Sequence, residues 1–482
     1  MTIRERVFAA DQDLLSRLSA AGKPVLGRVM SGFGRSANHG TLWLAMAAAL
    51  GATRSKWTRR AALRGLASMV IGSTAANVIT NRLLSRGRPS GTGAAGRQLG
   101  HPRTTSFPSR HAASAAAFAT GVALEMPDLA IPVGALAAAV GASRVITGVH
   151  YPSDMLGGVA LGTAAGLLTL RWWPRRPTAP ADAARPRREA PASPDGAGLV
   201  LIVNCSAGTA STDLADSLSK RLPAGELLVA SADDDLDAMF RDAATRARIL
   251  GVAGGDGSVR LAAGIASEAG LPLLVLPAGT FNHFAADLGV ESGDHALSAL
   301  RDGDSVLVDV ASADGEAFLN TASAGVYVNL VNAREELEPS FGKWPAMMIA
   351  LIGVLRRGSP VDLLVNGRRR RVWLLFAGNC RYEPSGAAPA YRPDLADGIL
   401  DVRLVDGSQP LARTRLITAV LLGTLARSRV YQTWSCSILQ VASVDGDPVP
   451  VCLDGEATQV RSATALVKRP RELLVYRPAP GG

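Results

Sequence analysis

Histidine and arginine recur in three short clusters in the first half of the chain: SRGRP at 85–89, FPSRH at 107–111 and SRVITGVHYPSD at 143–154. Each arginine offers a planar fork of donors that matches phosphate oxygens. An imidazole can attack phosphorus once a carboxylate fixes its tautomer. His150 and Asp154 are four residues apart, so on one helical turn they share a face. His111 would then protonate the leaving alkoxide. A lone histidine at a helix end is more often a surface or satisfied core residue. Here two of the six histidines fall in register with arginines, a serine and an aspartate.

The second half carries glycine turns instead. GVAGGDGSVRLAAGIA at 251–266 reads as a strand, a turn and a helix start. Gly254, Gly255 and Gly257 let backbone N–H groups approach phosphates, and Asp256 can orient a metal or a nucleotide hydroxyl. LPAGTFNHFAADLG at 276–289 supplies a second turn with Gly279, Thr280 and Asn282. NCSAG at 204–208 is a third, and LDGE at 453–456 sets Asp454 and Glu456 near the chain end. One GDG string alone is commonly an ordinary loop.

These residues need elements to hold them. Apolar, small-residue-rich runs occupy 41–52, 61–80, 112–126, 129–149 and 155–173. A bilayer takes ~20 apolar residues as helix. Runs 61–80, 129–149 and 155–173 meet that, and the two shorter runs must borrow flanking residues, so about five membrane helices are expected. The alternative is a soluble all-helical core. The first cluster ends run 61–80, the second begins run 112–126, and the third ends run 129–149, two crossings later. All three emerge on one side of the membrane.

After Leu170 the composition changes. Trp172 and Trp173 suit an interface, and six arginines between Arg171 and Arg188 face one acid, Asp182. The Pro/Ala/Arg mixture at 174–197 reads as a linker between a membrane domain (1–173) and a second domain (198–482). Buried strands at 199–204, 247–253 and 271–276, each followed by a small-residue or Gly-rich turn, predict a parallel α/β part over 198–309. Shorter strands such as 361–366, 371–378 and 398–405 predict a mainly antiparallel β part over 310–482.

The formal net charge of +10 suits nucleic acid, anionic lipid or phosphorylated substrates. Aromatics are 5% of residues, which argues against a nucleic-acid partner that needs stacking platforms. The four cysteines all lie beyond residue 200 without metal-ligand spacing, so neither a disulfide framework nor a thiolate metal site is expected. The first 40 residues lack the compact apolar stretch of a cleavable signal peptide.

The first set of motifs resembles the type 2 phosphatidic acid phosphatase superfamily, whose pattern is KxxxxxxRP, PSGH and SRxxxxxHxxxD, over roughly residues 35–173. The resemblance implies His150 as nucleophile, Asp154 as its orienter and His111 as general acid. It implies Arg88, Ser109, Arg110 and Arg144 as phosphate-binding residues, with no metal. Asn81, with Arg82 beside it, stands at the lysine position, and Arg110 at the glycine of PSGH. Haloperoxidases of the same superfamily share the anion pocket but are soluble, which the apolar runs oppose.

The second set resembles the catalytic domain of diacylglycerol kinases and related lipid kinases, whose patterns are NPxSG, GGDGT, PxGTxND and DGE, over about 198–476. Cys205, Ala207, Ser258 and His283 stand where that family has proline, serine, threonine and aspartate. The resemblance implies ATP binding by Asn204, Gly254, Gly255, Asp256, Gly257, Ser258, Gly279 and Thr280. Glu456, helped by Asp454, would take the proton from a lipid hydroxyl. Asp397 in YRPDLADGILDV is the implied Mg2+ ligand, with Asp394 secondary.

Together the motifs predict a bifunctional membrane-lipid enzyme with membrane lipids and ATP as partners. The alternative is a membrane-anchored lipid-binding or scaffold protein with one silent domain. The kinase part lies one crossing beyond the third phosphatase cluster, so the two sites are expected on opposite sides, the kinase in the cytoplasm with ATP.

Overall fold

The computed structural model describes residues 3–21, 32, 40–53, 55–82, 86–89, 105–177, 179–186, 189–206, 212–279, 282–341, 346, 349–350, 353–354, 358–386, 389–458 and 462–479. The chain divides into two compact units, Met1–Arg175 and Arg176–Gly482.

The first unit contains helices α1 (Ile3–Ala21), α2 (Thr41–Ala52), α3 (Lys56–Arg82), α4 (Arg110–Glu125), α5 (Ala130–Ile146) and α6 (Pro152–Leu168). The five apolar runs are helices α2 to α6. Segments 56–79, 127–146 and 152–171 are long and apolar enough to cross a membrane by length and composition. Helix α2 has 12 residues and α4 has 16. Helix α1 is an addition to the expected set.

Small residues decide how these helices meet. A Cβ on Gly162 would stand 2.2 Å from the Ala113 carbonyl oxygen, and one on Gly158 would stand 2.5 Å from that of Ser109. Helices α6 and α4 therefore touch backbone to backbone. Gly121 plays the same part between α4 and α3, where a Cβ would meet the Arg64 carbonyl at 2.8 Å. Such close approach is how helices associate where lipid is as apolar as their side chains.

One end of the bundle is closed by charge. Glu125, at the C-terminus of α4, accepts from Arg64 Nε and Arg60 Nε, both at 2.6 Å. Arg64 is fully buried and also donates to Thr169 Oγ1 at 2.9 Å. The Arg60 and Arg64 guanidiniums lie over the Trp173 ring at 4.9 and 5.0 Å. One carboxylate serving two arginines is how such charges are tolerated at low dielectric. The chain leaves the bundle here, and the three His/Arg clusters lie at the other ends of the same helices.

In the second unit the described residues form one 15-stranded mixed sheet. Its parallel part is β1 (Leu199–Asn204), β2 (Glu226–Ala230), β3 (Ile249–Gly254) and β4 (Leu273–Pro277), ordered β2-β1-β3-β4. Strands β1 and β3 are buried along their whole length, as strands covered on both faces must be. Helices α7 (Thr212–Arg221), α8 (Leu236–Arg246), α9 (Asp256–Ala269), α10 (His283–Leu288) and α11 (Gly293–Asp302) belong to this part.

The antiparallel part is β5 (Ser305–Ala313), β6 (Glu316–Phe318), β7 (Thr321–Gly325), β8 (Val361–Val365), β9 (Arg368–Asn379), β10 (Leu400–Asp406), β11 (Tyr431–Cys436), β12 (Ile438–Ser443), β13 (Val451–Leu453), β14 (Glu456–Ala457) and β15 (Ala463–Tyr476), with helices α12 (Val326–Phe341) and α13 (Ala412–Leu421). The returning strand β15 joins the two parts: it is parallel to β4 and antiparallel to β5 and β12.

The stretch 174–197, which its composition marks as a linker, lies in the second unit from Arg176 on and is hydrogen-bonded into it from Ala181 onward. Ala181 N–H donates to the Asp287 carbonyl at 2.9 Å, Asp182 N–H to that of Pro393 at 2.8 Å, and Ser193 N–H to that of Leu300 at 2.8 Å. Ala181, Ala190 and Ser193 are buried. Backbone groups, which composition does not report, do the docking.

Candidate functional sites

His150 lies in the turn between α5 and α6, and Asp154 in the first turn of α6, with Tyr151 as N-cap. They do not share a helical turn. They meet because α6 starts immediately after His150. Asp154 Oδ2 is 3.5 Å from His150 Nδ1 and also accepts from the Tyr151 N–H at 2.9 Å and from the Ser106 hydroxyl. Arg88 Nη1 stands 3.2 Å from His150 Nε2 and donates to the Val149 carbonyl at 3.1 Å. A guanidinium can only donate, so Nε2 accepts and Nδ1 carries the proton toward Asp154. Burial lowers the His150 pKa below its ordinary value, and the Asp154 hydrogen bond only partly opposes that. The imidazole is therefore neutral at neutral pH, with its lone pair among arginines.

His111 is on the first turn of α4, within electrostatic reach of Arg144, His150, Arg110 and Arg88. Ser109 is fully buried and caps α4, its Oγ accepting from Ala112 N–H at 3.5 Å, while its own N–H donates to the Asp154 carbonyl at 2.9 Å. Arg110 donates to Asn77 Oδ1 at 2.9 Å. The structure thus brings together His150, His111, Asp154, Arg88, Ser109, Arg110 and Arg144. Asn81 lies in α3, and its side chain is outside the described residues.

Two residues beyond the expected set complete this site. Arg86 donates to Asp154 Oδ1 at 2.9 Å, so it supports the orienting carboxylate rather than standing free for phosphate. Asp11, buried on α1, accepts from Arg86 Nη2 at 2.6 Å, from Ser153 N–H at 2.9 Å and from Ser153 Oγ at 2.5 Å. The chain Asp11–Arg86–Asp154–His150 runs from α1 to the Nδ1 side of the His150 imidazole.

In the second unit three turns converge. Asn204, ending β1, donates to Ser258 Oγ at 2.9 Å. Helix α9 starts at Asp256 with Gly255 as N-cap, so its unpaired N–H groups and positive dipole end open at the turn. A Cβ on Gly279 would stand 2.4 Å from Gly255 Cα, so the second turn lies against the first. Asn282, at φ +51°, closes that turn through Gly279, accepting from its N–H at 2.9 Å and donating to its carbonyl at 2.8 Å. Thr280 and Gly208 lie outside the described residues.

Glu456 reaches this place from the far end of the chain. A Cβ on Gly257 would be 2.1 Å from Glu456 Oε1. Arg260 holds the carboxylate at 3.2 Å and Glu316 at 2.6 Å. Glu456 remains exposed. Asp454 does not share its freedom. Its two oxygens accept from the N–H groups of Leu319, Asn320 and Thr321 at 2.9, 2.8 and 2.7 Å. It fixes the turn that aims Glu456.

Asp397, the expected Mg2+ ligand, accepts from the N–H groups of Arg381 and Ile399 at 2.8 and 3.1 Å. With Asp309 and Cys380 it forms a cluster of potential ligands. The Lys468 ammonium already sits in that cluster, 2.9 Å from Asp309 Oδ2, 2.6 Å from Asn379 Oδ1 and 3.0 Å from Cys380 Sγ. Burial pushes the Cys380 thiol up to about 12, so it stays protonated. Magnesium takes oxygen ligands and keeps several waters. A buried thiol and an ammonium do not fit it. Asp394 caps Ala396 N–H at 2.8 Å instead.

The family model for the PAP2 superfamily matches residues 62–178, and that for the diacylglycerol kinase catalytic domain matches residues 198–313. Decaprenylphosphoryl-5-phosphoribose phosphatase of Mycolicibacterium smegmatis is 37% identical over 145 residues, 29% of this chain and 74% of that protein. Lipid A 1-phosphatase of Rhizobium johnstonii is 41% identical over 70 residues, 14% of this chain and 29% of that protein, so the chain spans under a third of that relative. The "Probable lipid kinase YegS-like" of Pseudomonas aeruginosa is 29% identical over 242 residues, 47% of this chain and 75% of that protein.

Proposed function

The chain belongs to the PAP2 superfamily through its first unit and carries a diacylglycerol kinase catalytic domain in its second, and from that premise we propose a bifunctional enzyme of membrane lipids. The observation that carries this reading is the neutral His150, its Nε2 lone pair against Arg88 and its Nδ1–H toward Asp154. Nε2 attacks the phosphorus of a lipid phosphomonoester. The ester P–O bond breaks, and His111, which takes up a proton as the phosphate dianion binds beside it, gives that proton to the leaving alkoxide. His111 then takes a proton from water, whose oxygen attacks the phospho-histidine and releases phosphate. Arg88, Arg110 and Arg144 neutralise the anion, so this reaction needs no metal.

The second unit phosphorylates a lipid hydroxyl. The turns at Gly254–Ser258 and Gly279 receive the phosphates of ATP, with Mg2+ entering as the ion of Mg-ATP. Glu456 removes the hydroxyl proton as the oxygen attacks the γ-phosphorus, the bond from that phosphorus to the β–γ bridging oxygen breaks and ADP leaves, while Asp454 keeps Glu456 in place.

The names of the two families and of the relatives suggest the panel for the test: phosphatidate, a polyprenyl phosphosugar phosphate and a lipid A 1-phosphate for hydrolysis, and diacylglycerol for phosphorylation. The purified chain should hydrolyse one of the first three in excess EDTA and phosphorylate the last only with Mg-ATP. His150→Ala should abolish hydrolysis and leave phosphorylation intact. Gly255→Asp, which sets a side chain and a negative charge where phosphates approach, should do the reverse. Hydrolysis that EDTA removes, or wild-type phosphorylation by Gly255→Asp, refutes the corresponding half.

A further inference from the structure

The β-rich part of the second unit carries a helix with two apolar faces, of which its own unit covers one. Helix α13 packs Ala412, Leu416, Ala419 and Val420 against Val326, Trp373 and Val405. Its other side presents Leu411, Thr414, Arg415, Thr418, Leu421 and Leu422, all exposed. Intervals of three and four place them on one stripe. Leu411, Leu421 and Leu422 are 74%, 66% and 55% exposed. Single exposed leucines are ordinary; three along one short helix mark a surface meant to be covered.

Charge identifies the cover. Residues 411–429 contain Arg413, Arg415, Arg427 and Arg429 and no acid. Arg415 and Arg427 line a cleft of about 330 Å³ with Thr414, Thr418, Thr424 and Ser428. Two guanidiniums and four hydroxyls form a donor set for phosphate oxygens. Val354 packs on the same core cluster, and Ile349, five residues before it, is exposed. We propose that this face is a docking surface for a bilayer containing anionic phospholipid. The leucines enter the headgroup boundary, and the arginines and hydroxyls take lipid phosphates, as in amphipathic helices that lie in the interface plane. A second copy of the chain is the poorer fit, because it would set four arginines against four with no acid between them.

The inference goes beyond the two reactions and is tested without either. The full chain is placed in lipid nanodiscs of phosphatidylcholine alone, in discs where part of it is replaced by phosphatidylglycerol, and in neutral detergent. Hydrogen exchange is then followed by mass spectrometry. Peptides spanning 411–430 should exchange roughly tenfold more slowly in phosphatidylglycerol discs, and added salt should reverse this. Arg415→Gln/Arg427→Gln and Leu421→Asp/Leu422→Asp, both on the exposed face, should abolish the slowing while β1, β3 and β4 keep wild-type protection. Equal exchange in both kinds of disc overturns the proposal. So does equal protection in detergent, which would assign the face to the first unit or to a second copy.

Discussion

Replacing Asp11 by asparagine removes one of the two carboxylates that hold Arg86 and leaves the helix around it unchanged in shape. Arg86 then pulls on Asp154 alone, and the Asp154 carboxylate gives less support to the His150 Nδ1–H. Less negative charge near His150 lowers its pKa further. Nε2 attacks only when the ring is neutral, so activity fails as pH falls through that pKa, and the acid limb of the pH–rate profile moves to lower pH in Asp11→Asn. The plateau should also fall about tenfold, the scale of one charge-assisted hydrogen bond. An unshifted acid limb would leave Asp11 a packing role only. The motif residues were legible because each has partners at fixed spacing in the sequence. Asp11 was not, because its partner Ser153 lies 142 residues away and a single acid in a charged helix has no spacing to betray it. Asp454 shows a different limit: the DGE string was readable, but not which of its acids is spent on backbone N–H groups.

At the scale of elements, the contact between α4 and α6 decides whether the phosphatase residues meet, since Ser109 and His111 ride on one helix and Asp154 on the other. Gly162→Ala would push a methyl to within 2.2 Å of the Ala113 carbonyl, and only separation of the helices relieves it. Overpacking of this kind costs about 1–3 kcal/mol. Gly162 is ~12 Å along the helix from Asp154, so the tilt is felt at the site. The variant should unfold at a lower temperature and lose lipid hydrolysis, while nucleotide binding by the second unit stays at the wild-type level. Unchanged melting and hydrolysis would mean the helices are free to slide. The apolar runs announced these helices closely, run 41–52 coinciding with α2. The docked segment from residue 181 was hidden, because proline and alanine advertise a lack of side-chain core and are silent about backbone hydrogen bonds.

For the whole molecule, the sidedness expected from the sequence rests on the same helix ends. His150 and Asp154 stand where α6 begins, and the chain leaves the bundle where α6 has finished, beside the Arg64–Glu125 pair. The second unit begins at Arg176, two residues after Pro174. On the topology the sequence leads us to expect, the phosphatase site would face outward and the kinase would face ATP. With Cys205, Cys380, Cys436 and Cys452 removed, an impermeant thiol reagent on sealed cells should label Gly93→Cys and spare Ala192→Cys. Equal labelling of both would refute a crossing by residues 152–171. The exit of the chain at the far end of the bundle then has a metabolic meaning. A kinase and a phosphatase fused on one face would undo each other's work and burn ATP in a futile cycle. On that topology, with the bilayer as insulator, only a lipid that changes leaflet would meet both sites.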